Sequence, residues 1–160
     1  MKRAGLGWLA MCVLLLAGCG FQLRGEAQLP FAGAYVESSD GSLLAPALRQ
    51  ALADQGKLAE HAGGVPVLVR VLDERMEKNI LSLSGGGKVR EYRLIYKTTL
   101  KVTDEKGDEL IAPIELEQIR EYSYDDAQIL AKEVEESALQ RAMVQETLRQ
   151  ALRRLSYVKR

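Results

Sequence analysis

From Tyr92 to Val102 the chain alternates. Tyr92, Leu94, Tyr96, Thr98, Leu100 and Val102 fall on one side of an extended backbone, and Arg93, Lys97, Lys101 and Thr103 on the other, interrupted by Ile95. A period of two over this length predicts a strand from Glu91 to Thr103 with one face on a core and one in water. Asp104-Glu105-Lys106-Gly107-Asp108 predicts a hairpin turn. Beyond it Leu110, Ala112, Ile114, Leu116, Tyr122 and Tyr124 share a face of the next strand. Pro113 has no N–H to give a neighbour, so it marks an edge or a bulge there. Val65 to Leu72, rich in β-branched residues, predicts an earlier strand, and Ala34 to Glu37 a short first one. The charged run Asp73 to Lys78 is expected to project past the core. Asn79 to Gly87, ending in Ser84-Gly85-Gly86-Gly87, reads as a mobile hairpin tip.

Two segments change to a helical period. Leu44, Leu48, Ala51 and Leu52, with Ala47 beside them, predict a helix from Ser42 to Gln55. Pro46 is tolerated only in a first turn, which puts the start near Leu43 to Ala45, and Gly56 is a natural stop. Asp125 and Gln128 have the spacing of a capping box. After them Ala127, Leu130, Ala131, Val134, Ala138, Ala142, Leu148, Leu152 and Leu155 make the apolar stripe of a long helix ending near Leu155. Arg141 and Gln145 interrupt that stripe and predict shallow burial at its middle. The order β-α-β-β-β-α describes an α/β chain of the α+β type: a two-layer sandwich, a four-stranded mixed sheet with two helices on one face. Four strands cannot close a membrane barrel, which takes about eight.

The N-terminus follows another pattern. Lys2 and Arg3 precede an apolar run from Leu6 to Leu16, then Leu16-Ala17-Gly18-Cys19. The run is too short for a membrane span of about 20 residues, and its charged start and small residues describe an export signal. Leu-Ala-Gly-Cys resembles the bacterial lipobox. That resemblance implies a signal peptide over 1–18, a thioether-linked lipid on Cys19, a lipidated leader over 19–33 and a single domain over 34–160. Gly20 stands where lipoproteins kept at the inner membrane often carry Asp, which implies an outer-membrane location. The leader is either a flexible tether or a docked arm.

Charge and chemistry narrow the classes. The chain carries 22 Lys+Arg and 22 Asp+Glu, and losing Lys2 and Arg3 tips the balance slightly acidic. A nucleic-acid binder would show a basic excess. Cys12 leaves with the signal and lipid occupies Cys19, so no disulfide, redox centre or thiolate metal site is expected. The single His61 sits in Glu60-His61-Ala62-Gly63-Gly64, a surface loop. One loop histidine makes a Ser-His pair improbable, capping accounts for Asp125 and Asp126, and Gly85-Gly86-Gly87-Lys88 lacks the ending of a phosphate-binding loop. The expectation is no enzyme, no cofactor and no metal.

Three stretches then resemble one family. Cys19-Gly20-Phe21-Gln22-Leu23-Arg24-Gly25 is similar to the mature start of the LptE family of lipopolysaccharide-assembly lipoproteins, Glu91-Tyr92-Arg93-Leu94 to the opening of its central strand, and Ala127-Gln128-Ile129-Leu130-Ala131-Lys132-Glu133 to that of its last helix. The resemblance implies a plug in the β-barrel LptD, in a one-to-one complex, which helps that barrel assemble and binds lipopolysaccharide. It implies no nucleic-acid partner. Lys132 matches a basic position associated with lipopolysaccharide; the plainer alternative is an exposed lysine paired with Glu136 one turn on. The family's second basic position falls on glycine near Gly85, and Lys88 and Arg90 stand a few residues downstream. Arg93, Lys97 and Lys101 suit either a polar barrel wall or ordinary solvent. Ile80, Leu81 and Leu83 meet acyl chains or the barrel, or pack on the domain itself. The rival reading is a periplasmic accessory lipoprotein of an efflux or lipid-transport system.

Overall fold

The computed structural model describes residues 28–158; the export signal, Cys19 and the leader as far as Ala27 lie outside the described residues. The elements are β1 (Ala34–Ser38), α1 (Leu44–Asp54), β2 (Val67–Leu83), β3 (Val89–Thr103), β4 (Glu109–Ser123) and α2 (Ile129–Leu155), with a 3-10 turn at Asp126–Gln128 before α2. The sheet order is β1-β2-β3-β4, with β1 parallel to β2 and the other pairs antiparallel. The predicted two-layer, four-stranded mixed sheet with two helices is the observed fold.

The core follows the alternation. Leu100 and Val102 of β3 join Val67, Val69 and Val71 of β2, Leu44, Leu48 and Leu52 of α1, and Leu148, Ala151 and Leu155 of α2 in one buried cluster. Leu29 and Phe31 belong to it, so the end of the leader is docked. Lys57 Nζ fastens it, donating to the Phe31 carbonyl at 2.6 Å. β4 is an edge strand, and its register shifts beside Pro113, between the pairs Leu100–Ile114 and Val102–Ile111. Both meanings of that proline apply at once.

Two expectations need correction. β2 does not end at Leu72. It runs to Leu83, and the tip shrinks to a turn in which Ser84 N–H donates to the Lys88 carbonyl at 2.7 Å. One extra residue enters β2 between the pairs Leu72–Thr99 and Arg75–Lys97, where Asp73 takes φ +50°. Such a bulge turns the strand and reverses which residues face the core. Before it Val67, Val69 and Val71 point inward. After it Met76, Lys78 and Ile80 lie in the rows of Tyr96, Leu94 and Tyr92. The second correction concerns α2: Leu130 is 78 % exposed and Val134 68 %. At 1.5 Å per residue α1 reaches about 16 Å and α2 about 40 Å. Beside α1, α2 is buried; beyond it, the same face is bare.

The bulge also aims Glu74 at α1. The N-cap residue Leu43 offers no side-chain cap. Glu74 Oε1 accepts from the N–H groups of Leu43 and Leu44, both at 2.9 Å. Ser42 Oγ and the buried Tyr96 hydroxyl also donate to this carboxylate. A strand therefore supplies the acid that a helix N-terminus favours.

On α2 the buried Thr147 hydroxyl has no hydrogen-bond partner among the described residues. Thr147→Val keeps the shape and removes the orphan, so it is expected to raise stability by about 1 kcal/mol. Urea unfolding of the two proteins measures the difference. A less stable variant would mean that the hydroxyl has a partner after all.

Candidate functional site

Opposite the docked leader, the β2–β3 hairpin, the end of β4 and the start of α2 converge. Tyr124 N–H donates to the Arg90 carbonyl at 2.7 Å. Lys88 Nζ stands 3.7 Å from Asp126 Oδ2. Asp125 Oδ1 accepts from Ala127 N–H at 3.0 Å, capping the turn that leads into α2. Lys132 Nζ lies 3.2 Å from Ser123 Oγ and 2.8 Å from Glu135 Oε2. The three cations singled out by sequence thus stand at one end of the molecule. The plainer pairing of Lys132 with Glu136 does not occur, because Glu136 is taken by another lysine. Lys132 is largely covered, Lys88 is open to solvent, and among the described residues Arg90 forms no ion pair. Cations at a projecting end suit an anionic oxygen, which lysine meets as a point charge and arginine as a fork.

Beneath them lies a cluster that sequence reasoning missed. Glu136 Oε2 accepts from Lys78 Nζ and from the Tyr122 hydroxyl, each at 2.6 Å. Lys78 Nζ sits 4.1 Å from the centre of the Tyr92 ring, which stacks on Tyr122 at 5.8 Å and meets Tyr124 edge-on at 5.1 Å. Burial pushes the Glu136 carboxyl up, but the hydrogen bonds from Lys78 and Tyr122 outweigh it and hold the group below its ordinary range. Burial likewise lowers Lys78, and Glu136 more than reverses that. Burial and the bond to Glu136 push Tyr122 up to about 12. The cluster fastens the far half of the sheet to α2. The tyrosines are legible as an inward row; the bulge hides Lys78, and the first half of the expected α2 stripe, Leu130 and Val134, is bare.

The outer face of the sheet is charged, and four of its cations are paired with carboxylates. Arg93 pairs with Glu121 at 2.7 Å, Lys97 with Glu117 at 3.2 Å, Lys101 with Glu109 at 3.2 Å and Arg70 with Glu37 at 2.6 Å. A groove of about 440 Å³ crosses this face, lined by Arg75, Lys97, Glu115 and Glu117. Ile80 and Leu83 do not pack on the domain: they are 58 % and 56 % exposed, while Leu81 is half-buried. His61 lies exposed. Among the described residues no group of three or more His, Cys, Asp or Glu is placed to hold a metal ion.

This geometry has relatives. The family model described as LptE, lipopolysaccharide-assembly, matches residues 28–155. The LPS-assembly lipoprotein LptE of Pectobacterium atrosepticum is 29% identical over 153 residues, covering 92% of this chain and 82% of the relative. That of Photorhabdus laumondii is 30% identical over 152 residues, with the same coverage of each. The solution structure of uncharacterized lipoprotein B from Nitrosomonas europaea superposes with a TM-score of 0.74 at 32% identity, over 86% of this chain and 90% of that one.

Proposed function

The chain belongs to the LptE family of lipopolysaccharide-assembly proteins, and from that membership we propose that it is an outer-membrane lipoprotein, anchored through lipid on Cys19, that plugs the β-barrel LptD and takes part in delivering lipopolysaccharide. The family match over residues 28–155 carries this reading. The geometry supports it in two further ways. A sheet face on which Arg70, Arg93, Lys97 and Lys101 are each paired with a carboxylate sits against a polar barrel lumen with few bare charges. The cations Lys88, Arg90 and Lys132 gather at the end away from the docked leader, where the phosphates of a glycolipid would meet them.

Two experiments test the reading. On depletion, cells are expected to lose surface lipopolysaccharide and properly assembled barrel together. Intact lipopolysaccharide with failed export of another cargo would instead favour an accessory lipoprotein of a different transport system. The second experiment concerns Lys132. Lys132→Glu is expected to weaken binding of purified lipopolysaccharide about tenfold, the scale of one charge-assisted contact. The assay is run at fixed ionic strength, because such contacts are salt-sensitive, with thermal unfolding to confirm that the domain is intact. Unchanged affinity would remove Lys132 from the site.

A further inference from the structure

β1 and α1 both stop at the level of Glu74. The last residue of β2 with a partner on the β1 side is Val71, opposite Ser38. Beyond the bulge, among the described residues, no strand pairs with β2 on that side. From Glu77 to Leu83 its outward N–H and C=O groups form a free sheet edge. Natural edges are usually guarded by charge, proline or a bulge. Here the charge ends at Lys78: Ile80-Leu81-Ser82-Leu83 carries none, and only the register shifts against β3 at Ile80/Ser82 and Ser82/Leu83 interrupt the edge. The layer above is open in the same place. Leu130 and Val134 lie about five turns before Leu148 and Leu152, on the same face of α2. Leu148 and Leu152 pack into the cluster that holds α1, whereas Leu130 and Val134 are bare.

We propose that the free edge of β2 from Glu77 to Leu83 takes up an extended segment of the barrel partner as an added strand. The inward side chains of that segment lie against Ile80 and the bare Leu130–Val134 face of α2. This rests on the barrel-partner reading above. Three arguments select the occupant. A row of backbone donors and acceptors is satisfied along its length by another polypeptide backbone and not by acyl chains. The chain's own leader falls short. Fully extended, Cys19 to Gln28 spans about 30 Å, while Ile80 lies about 43 Å along β2 from Val67, the end near which the leader docks. A second copy is disfavoured by area, because the few exposed apolar side chains give well short of the roughly 800 Å² per partner that a stable dimer buries.

The test is hydrogen exchange on the full acylated chain, free and in complex with the barrel, both in the same detergent. In the complex the edge amides between Glu77 and Leu83 are expected to exchange at least about tenfold more slowly. Ile80→Lys with Leu83→Lys, at exposed positions that leave the melting temperature unchanged, is expected to weaken the complex about tenfold or more. A complex that forms with these amides unprotected overturns strand addition and leaves the barrel reading standing. Protection of the free chain that grows with its concentration, alongside a dimer mass, or protection by lipopolysaccharide micelles alone, also overturns it. Failure to recover any barrel complex removes the barrel reading, and this inference with it.

Discussion

Replacing Glu74 with alanine is expected to destabilise the domain by about 2–4 kcal/mol, a large share of the 5–15 kcal/mol typical of a folded domain. One carboxylate here serves four neighbours, Ser42, Leu43, Leu44 and Tyr96. The N–H groups of Leu43 and Leu44 lose their acceptor, and loss of a helix cap costs about 1 kcal/mol. The buried Tyr96 hydroxyl, which donates to Glu74, is left unpaired, at a further 1–3 kcal/mol. Burial and the bond to Glu74 already hold that hydroxyl well above the ordinary tyrosine range, so it stays a donor at every working pH. The double variant isolates the last contribution. In a Tyr96→Phe background the donor is gone, and Glu74→Ala is expected to cost less by about 1–2 kcal/mol. Urea unfolding of the non-acylated chain reads all four corners of the cycle. Equal costs in both backgrounds would mean that the hydroxyl does not depend on Glu74.

The second large effect concerns Glu136. Glu136→Ala is expected to cost about 2 kcal/mol at pH 7, because Lys78 and the Tyr122 hydroxyl both lose their partner. The figure lies below the 3–5 kcal/mol for breaking a fully buried pair, since Lys78 is 37 % exposed and water replaces part of the loss. The pH dependence has a definite sign. Glu136 titrates below its ordinary 4.5 in the folded protein. Its contribution is therefore complete above that value and is lost as pH falls through the lower folded one. Lys78 is raised above 10.5, so its contribution holds below that value and fades at higher pH. Glu136→Gln keeps an acceptor and removes the charge, and is expected to flatten the acid limb of the stability curve. An acid limb identical in wild type and variant would show that Glu136 is not ion-paired in solution.

These two carboxylates also show where sequence reading stops. The inward row of β3, the edge character of Pro113, the Asp125 cap and the end of α2 at Leu155 are local: each rests on residues a few positions apart, and each was legible. The length of β2 was not. A single inserted residue reversed its alternation, so that Val67, Val69, Val71 and then Met76, Lys78, Ile80 look like a strand followed by a charged loop. The exposed half of α2 was misread for a non-local reason. Leu130 and Val134 continue the stripe of Leu148 and Leu152, and nothing in their own spacing says that α1 is too short to cover them. Glu74 on β2 reaches the start of α1, and Glu136 on α2 reaches Lys78 on β2, 58 positions away, relations that periodicity does not carry. For the candidate site, the resemblance of the last-helix opening pointed to Lys132. The meeting of Lys132 with Lys88 and Arg90 at one end depends on the long β2–β3 hairpin, which was expected to be shorter.

The most direct measurement is the composition of the particle recovered when the full chain, tagged at its C-terminus, is purified from detergent-solubilised outer membranes of its own bacterium. A one-to-one complex with a large β-barrel, carrying lipid on Cys19, is the predicted result. Recovery of the chain alone, or of a polypeptide without lipid, would contradict it.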